Sequence, residues 1–308
     1  MRYLFGPVPS RRYGRSLGVD LTVPKTCTLN CRFCQLGPTR ETTVKRTDTP
    51  PIAAILSELR DWTAAGGEAD FVTASGSGEP TLHRQFGEVF RWTRGETPFS
   101  TLLLSNGTLF DRPEVRTDAA LADVVKVSLH AWDQTSFEAV NRPHPSLRFD
   151  VILDGYRAFR QMFAGRLDVE VFVIPGINDA TWQMERIAAL VQDFAPDSIT
   201  LNTAVRPPAD GSVLPCPRER LLELANLFDG KAHVSGNESK SVKGKTLSAE
   251  ELAELVERHP LSLAALAAQS GCTESEIRAR LAPFCADGRI RLFENGGRVF
   301  AGPNETCR

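Results

Sequence analysis

No apolar run in this chain approaches the roughly 20 residues of a membrane span, which argues against a helical transmembrane segment. The opening Met1-Arg-Tyr-Leu-Phe-Gly-Pro has neither the apolar core nor the small-residue cleavage site of a signal peptide. Cysteine is sparse and odd in number, seven in 308 residues. Four of the seven are scattered (Cys216, Cys272, Cys285 and Cys307), which does not read as a disulfide framework. The expected location is therefore a reducing cytoplasm. Excess charge is missing too: the formal net charge is −2. That balance says little about partners and does not forbid nucleic acid, because charge can be unevenly distributed. The length suits one large domain plus a smaller one.

The other three cysteines are crowded in Cys27-Thr-Leu-Asn-Cys31-Arg-Phe-Cys34. A C-x₃-C-x₂-C spacing supplies three thiolates, enough for three irons of a [4Fe–4S] cluster, leaving one iron open to an outside ligand. Structural zinc would need a fourth protein ligand, and no nearby His or Cys supplies it. Basic residues gather around this run: Arg2, Arg11, Arg12, Arg15, Lys25, Arg32, Arg40, Lys45 and Arg46 against Asp20 and Glu41. They make either a solvated surface or a rim that attracts an anionic substrate.

From Leu17 to about Thr203, short apolar runs alternate with amphipathic segments, the pattern of βα units. Candidate strands are Leu17–Thr22, Ala69–Ser75, Ser100–Ser105, Asp123–Leu129, Asp168–Ile174 and Ser198–Asn202. Six units predict a partial TIM-like (β/α)₆ barrel of α/β class, although period alone does not exclude a doubly wound open sheet. One strand parity is unusually polar: Asp20, Thr22, Thr73, Ser75, Lys126, Ser128, His130, Glu170, Thr200 and Asn202. A polar interior predicts a ligand cavity. The competing reading is mutual satisfaction, with Lys126 and Glu170 as a buried ion pair.

The expected domains are a barrel over 1–230, a polar linker over 231–247 and a small α+β domain over 248–308. In the last, Ser248 with Glu251 and Thr273 with Glu276 read as capping boxes. A hairpin with the Glu294-Asn-Gly-Gly turn completes a winged-helix pattern. Residues 246–308 hold seven arginines, no lysine and nine acids, a poor generic phosphate binder. Arg278, Arg280, Arg289, Arg291 and Arg298 could still gather into a local patch.

The cysteine run, the turn Gly76-Ser-Gly78-Glu79-Pro80, Asn106 after the third strand, Ser128 and His130 after the fourth, and Gly176-Ile-Asn178 after the fifth occur in an order that resembles the radical S-adenosylmethionine (SAM) superfamily. The resemblance covers roughly residues 5–210. Within it, Phe5-Gly-Pro-Val-Pro-Ser-Arg-Arg, Lys25-Thr-Cys27, Cys34-Gln-Leu-Gly37 and Arg206-Pro-Pro resemble the branch of tRNA wyosine-forming radical enzymes. No cysteine precedes Cys27, so that branch's second cluster lacks ligands here. His130 stands where many relatives carry an acid. The resemblance implies an enzyme that binds a [4Fe–4S] cluster through Cys27, Cys31 and Cys34. It implies contacts to S-adenosyl-L-methionine from Phe33, Gly76, Gly78, Glu79, Asn106, Ser128, His130 and Asn178. SAM would be cleaved reductively to a 5′-deoxyadenosyl radical that abstracts hydrogen. A low-potential electron donor of the flavodoxin or ferredoxin type would supply the electron. Three substrate readings stay open: a nucleic-acid base or RNA-related molecule (tRNA included), a peptide clamped by the winged helix, or no substrate in a cluster-binding regulator.

Overall fold

The computed structural model describes residues 1–10, 12–235, 247–258 and 260–304. An antiparallel hairpin, β1 (Leu4–Ser10) and β2 (Gly14–Asp20), opens the chain. Two-residue strands β3 (Thr26–Cys27) and β4 (Glu41–Thr42) pair in parallel across the cysteine run. Helix and strand then alternate through α1 (Ile52–Ala64), β5 (Phe71–Ser75), α2 (Gly87–Glu96), β6 (Ser100–Leu104) and α3 (Pro113–Ala119). The series continues with β7 (Val124–Ser128), α4 (Gln134–Asn141), α5 (Phe149–Met162), β8 (Arg166–Phe172) and α6 (Thr181–Gln192). It ends in β9 (Ser198–Asn202), α7 (Arg218–Ala225) and β10 (Ala232–Val234).

These strands form one sheet in the order β1-β2-β5-β6-β7-β8-β9-β10, parallel from β2 onward. The order never reverses, so the sheet is singly wound like a barrel wall and lacks the switch point of a doubly wound fold. Its two edge strands do not pair with each other, and the barrel stays open.

All six expected strands are present, with two more. Strand β1 carries Pro7 and Pro9, which demote a strand pattern but are tolerated at an edge. Strand β10 has three residues, Ala232-His-Val, too few to show a period. Its pairing with β9 places Ala232–Val234, expected in the linker, in the barrel sheet. Residues 236–246 of that linker lie outside the described residues.

The outer face of the sheet is apolar and sits under the helices. Val125, Val127, Val169 and Val171 pack with Ile55 and Leu59 of α1 and Phe149, Ile152, Tyr156 and Phe159 of α5, all in one core. The helices follow from that spacing: Ile52, Ile55, Leu56 and Leu59 recur on one face of α1 just after Pro51. The inner face carries the polar parity and is largely paired. Ser16 bonds Thr73 at 2.7 Å, and Thr200 bonds His233 at 3.0 Å. Lys126 lies 3.5 Å from Glu170. Tyr13, in the β1–β2 turn, reaches across to Leu102 and Val124 and donates to Asp168 at 2.8 Å, closing the barrel floor.

The second unit contains α8 (Ala249–Arg258), β11 (Leu261–Ser262), α9 (Leu263–Ser270), α10 (Glu274–Ala286), β12 (Ile290–Asn295) and β13 (Arg298–Pro303). Its sheet order is β11-β13-β12. Both expected capping boxes form: Ser248 N–H donates to Glu251 at 2.7 Å, and Thr273 N–H to Glu276 at 2.7 Å. Leu252, Val256, Leu266, Ile277 and Leu281 build a separate core, against which Val8 of β1 packs. The winged-helix unit therefore docks on the open edge of the barrel. Three of the five arginines that could form a patch are engaged within the unit. Arg289 pairs with Glu250 and Glu257, Arg280 donates to the Leu247 carbonyl, and Arg291 lies over Phe293.

Candidate active site

The cysteine run leaves the C-terminal end of β2, the end where barrel enzymes place their sites. It is held from three sides. Thr43 N–H donates to the Cys27 carbonyl, Arg32 N–H to Val140, and His144 N–H to Thr28. The Thr28 hydroxyl bonds Thr108 at 2.7 Å. Two amide side chains aim at sulfur: Asn106 Nδ2 lies 3.5 Å from Cys27 Sγ, and Asn141 Nδ2 lies 3.2 Å from Cys31 Sγ. Burial, then Glu79, pushes the Cys27 thiol up to about 12. Burial, then the other two cysteines, raises Cys31 well above the thiol range. Burial raises Cys34 too, against the pull of Lys25. The thiols are thus costly to ionise until a metal's positive charge offsets that cost.

Among the described residues no group of three His, Cys, Asp or Glu is gathered as one metal ion requires. A cluster spreads its thiolates over separate irons. Three desolvated thiols, sulfur-directed N–H groups and the lack of a fourth ligand fit the cluster expected from the spacing. The chemistry of that donor set is what Cys27, Cys31 and Cys34 could hold.

Strand β5 runs directly into the glycine turn. Gly76 has φ +137°, and a Cβ there would lie 2.5 Å from the Asp20 carboxylate; one at Gly78 would lie 2.0 Å from the Thr26 carbonyl. Glycine lets this turn lie flat on the start of the cysteine loop, where Lys25 N–H donates to Ser77 and Glu79 N–H to Thr26. Glu79, expected among the SAM contacts, is 2% exposed. Its carboxylate accepts from Ser105 Oγ at 2.6 Å, Asn106 N–H at 2.8 Å and both donors of Thr81. Burial raises its pKa despite those bonds. Glu79 braces the end of β5 against the end of β6, because a carboxylate just before Pro80 caps the turn that follows.

Asn178 departs from expectation for a similar reason. It is fully buried, donates to the carbonyls of His130 and Phe172, and accepts from Ile174 N–H. It clips the turn after β8 and keeps no polar atom for a ligand. Four of the other expected residues share one space. Phe33, Asn106, Ser128 and His130 line one cavity of about 120 Å³ together with Cys31. Phe33 stacks on Phe172 at 4.0 Å and meets His130 edge-on at 4.9 Å. His130 Nδ1 accepts from Phe172 N–H at 2.9 Å, and burial lowers its pKa to about 4, so the ring stays neutral. Ser128 accepts through its carbonyl from Tyr156 at 2.8 Å.

Gly76 and Gly78 border a second cavity, of about 460 Å³, between the inner sheet face and the winged helix. The polar parity therefore answers to both readings: its members pair with one another, and Ser16, Thr73 and Ser75 still line an open space. Of the basic residues expected on a rim, Arg12, Arg15, Arg32 and Arg46 are held by carboxylates. Arg11 lies outside the described residues. Sequence reasoning missed Asn141 and Gln269, which carry no motif, and Tyr13. It saw Arg12 only as part of a basic run.

A three-thiol loop at the C-terminal mouth of an open β/α barrel defines a cluster-dependent barrel enzyme. The Radical SAM superfamily model matches residues 21–190, and the chain belongs to that superfamily. It is accordingly a SAM-dependent enzyme, with a [4Fe–4S] cluster and SAM as cofactors. It is 29% identical to a Brachyspira hyodysenteriae protein named GTPase Obg over 94% of this chain, and spans 43% of that protein's length. It is 36% identical to a UPF0026 protein of Helicobacter pylori, over 84% of this chain and 85% of the relative. Among solved structures, Streptococcus suis SuiB bound to precursor peptide SuiA superposes with TM-score 0.54 at 13% identity, over 77% of this chain and 54% of that one. That likeness is one of fold. No helix among the described residues is long and apolar enough to cross a membrane.

Proposed function

We propose that Cys27, Cys31 and Cys34 hold the [4Fe–4S] cluster and that the chain cleaves SAM reductively to abstract hydrogen from a substrate lying in the barrel. When bound, the cluster supplies the electron for that cleavage. The observation that carries this reading is the pair of amide donors aimed at Cys27 and Cys31 in a loop with no fourth ligand.

The chain's own residues have separate tasks. Asn106 and Asn141 orient the sulfurs and tune their charge. Phe33 and Phe172 keep water from the loop. Neutral His130 and the chain around Asn106 and Ser128 line the space next to Cys31. The Gly76–Gly78 turn offers a flat backbone surface to SAM. Glu79 and Asn178 act as positioning residues behind that surface.

The substrate would lie in the cavity under the winged helix, since Gly76 and Gly78 border it. A volume of about 460 Å³ suits a small molecule. A nucleic-acid base or a peptide residue would have to enter as a single splayed-out unit. The engaged arginines of the winged helix favour a lid over a nucleic-acid arm. Six unpaired cysteines among the described residues suit a reducing compartment, the cytoplasm, with a flavodoxin- or ferredoxin-type electron donor.

The test is anaerobic reconstitution with iron and sulfide, then dithionite and SAM, following 5′-deoxyadenosine. Formation of that product, abolished in Cys27→Ala, Cys31→Ala and Cys34→Ala, is the expected result. A chain that never binds four irons would overturn the reading.

A further inference from the structure

On the inner face of the barrel two partly buried cations, Arg12 and Lys126, share one carboxylate. Glu170 accepts from Arg12 Nη2 at 2.7 Å and lies 3.5 Å from Lys126 Nζ, so one carboxylate stands between two cations. The neighbouring carboxylate, Asp168, is already committed to Tyr13 at 2.8 Å and Arg166 at 2.8 Å. Arg12 therefore has only a share in Glu170, through Nη2.

The geometry marks where a further acceptor belongs. Arg12 Nη1 is buried with no hydrogen-bond partner. An unpaired cationic N–H out of water is costly, and in a native fold it calls for a partner. Arg12 lines the cavity of about 460 Å³ under the winged helix. Gln269 of α9 lines the same cavity from the other domain, and its Oε1 is also buried without a partner. Arg298, at the start of β13, adds a further positive charge at the border, and Leu104 and Phe300 supply apolar wall. A cationic donor and a neutral acceptor, both unsatisfied and both on residues that line one cavity, suit the polar ends of a ligand.

We propose that this cavity takes a small molecule carrying an oxyanion, carboxylate or phosphate, and an N–H donor, with the oxyanion on Arg12 and the N–H on Gln269; this rests on the cavity being the substrate site. Apolar wall between the two ends accommodates a short hydrocarbon or ring segment. The winged helix then contributes a specificity residue as well as a cover.

Fluorescence titration of the full chain with dansylglycine tests this, because that probe combines a carboxylate, a sulfonamide N–H and an apolar ring. Dansylglycinamide, without the charge, is the control. Dansylglycine should bind about ten-fold tighter than the amide, and Arg12→Gln should remove about that factor, the size expected for a charged hydrogen bond. Gln269→Leu should weaken the probe by about three-fold, the size of a neutral hydrogen bond. Displacement by N-acetylglycine assigns a carboxylate ligand, and by phosphoethanolamine a phosphate one. Should Arg12→Gln not fold, Gln269→Leu and the exposed Arg298→Gln carry the decision.

Equal binding of acid and amide, unchanged affinity in the variants, or displacement by SAM each overturns the assignment. If dansylglycine fails while the wild type still yields 5′-deoxyadenosine, only the substrate class falls. If the probe binds but no SAM is cleaved, the functional reading falls and the cavity chemistry stands.

Discussion

Glu170 stands inside the barrel with Arg12 on one side and Lys126 on the other. Burial opposes its ionisation, but those two cations hold its carboxyl far below the usual 4.5. As pH falls below that value the unfolded chain takes up the proton first, so this group's stabilisation is present above about pH 4.5 and fades in acid. Glu170→Gln strands two buried cations and should cost about 3–5 kcal/mol, read by urea unfolding at neutral pH. His130 acts in a higher window. Burial lowers its pKa from 6.5 to about 4, so the unfolded state binds a proton that the native state refuses, and stability declines as pH falls from 6.5 to 4. His130→Gln should flatten that part of the profile. Residue type and order made the cysteines, the glycine turn and the Lys126–Glu170 pair legible in advance. The roles of Glu79 and Asn178 were not legible, because a motif locates a residue on a strand end without saying which way its side chain turns. Glu79 turns into the β5–β6 junction and Asn178 into the turn after β8.

At the level of elements, the helices obey local chemistry closely. Thr273 caps α10 by accepting from Glu276 N–H, while Glu276 accepts from Thr273 in return. Thr273→Ala should cost about 1 kcal/mol of the winged-helix unit's stability, checked by chemical denaturation of the full chain with a probe in that unit. The caps at Ser248 and Thr273 are readable because their partners lie three residues away. Strands β1 and β10 are not, for opposite reasons. Prolines obscure β1, whose place depends on pairing with β2, and β10 is three residues long and exists by virtue of β9 beside it. The arginines of the wing show the same limit. Five of them share a short stretch of sequence, yet Arg289 is drawn back to Glu250 and Glu257 on α8.

Across the whole molecule, the cluster loop and the winged helix occupy different places. Among the described residues, the groups that act on the thiols come from the barrel: Asn106 and Asn141 through hydrogen bonds, and Lys25 through its charge. A chain ended after residue 235 should therefore still bind four irons on reconstitution, yet lose dansylglycine binding because Gln269, Arg298 and Phe300 are gone from the cavity wall. Iron loss in that shortened chain would show that the lid also supports the cluster. Amino-acid order alone pointed to the superfamily, by the resemblance of its motifs, and to the six central strands and the helix caps of the C-terminal unit, which spacing over a few residues encodes. Tertiary structure decided the rest: Arg12 from the first hairpin meets Glu170 and Lys126 from β8 and β7, and Gln269 arrives from the second unit. Those groups lie far apart in the chain, and the buried charge they share exists only once the barrel has been wound and covered.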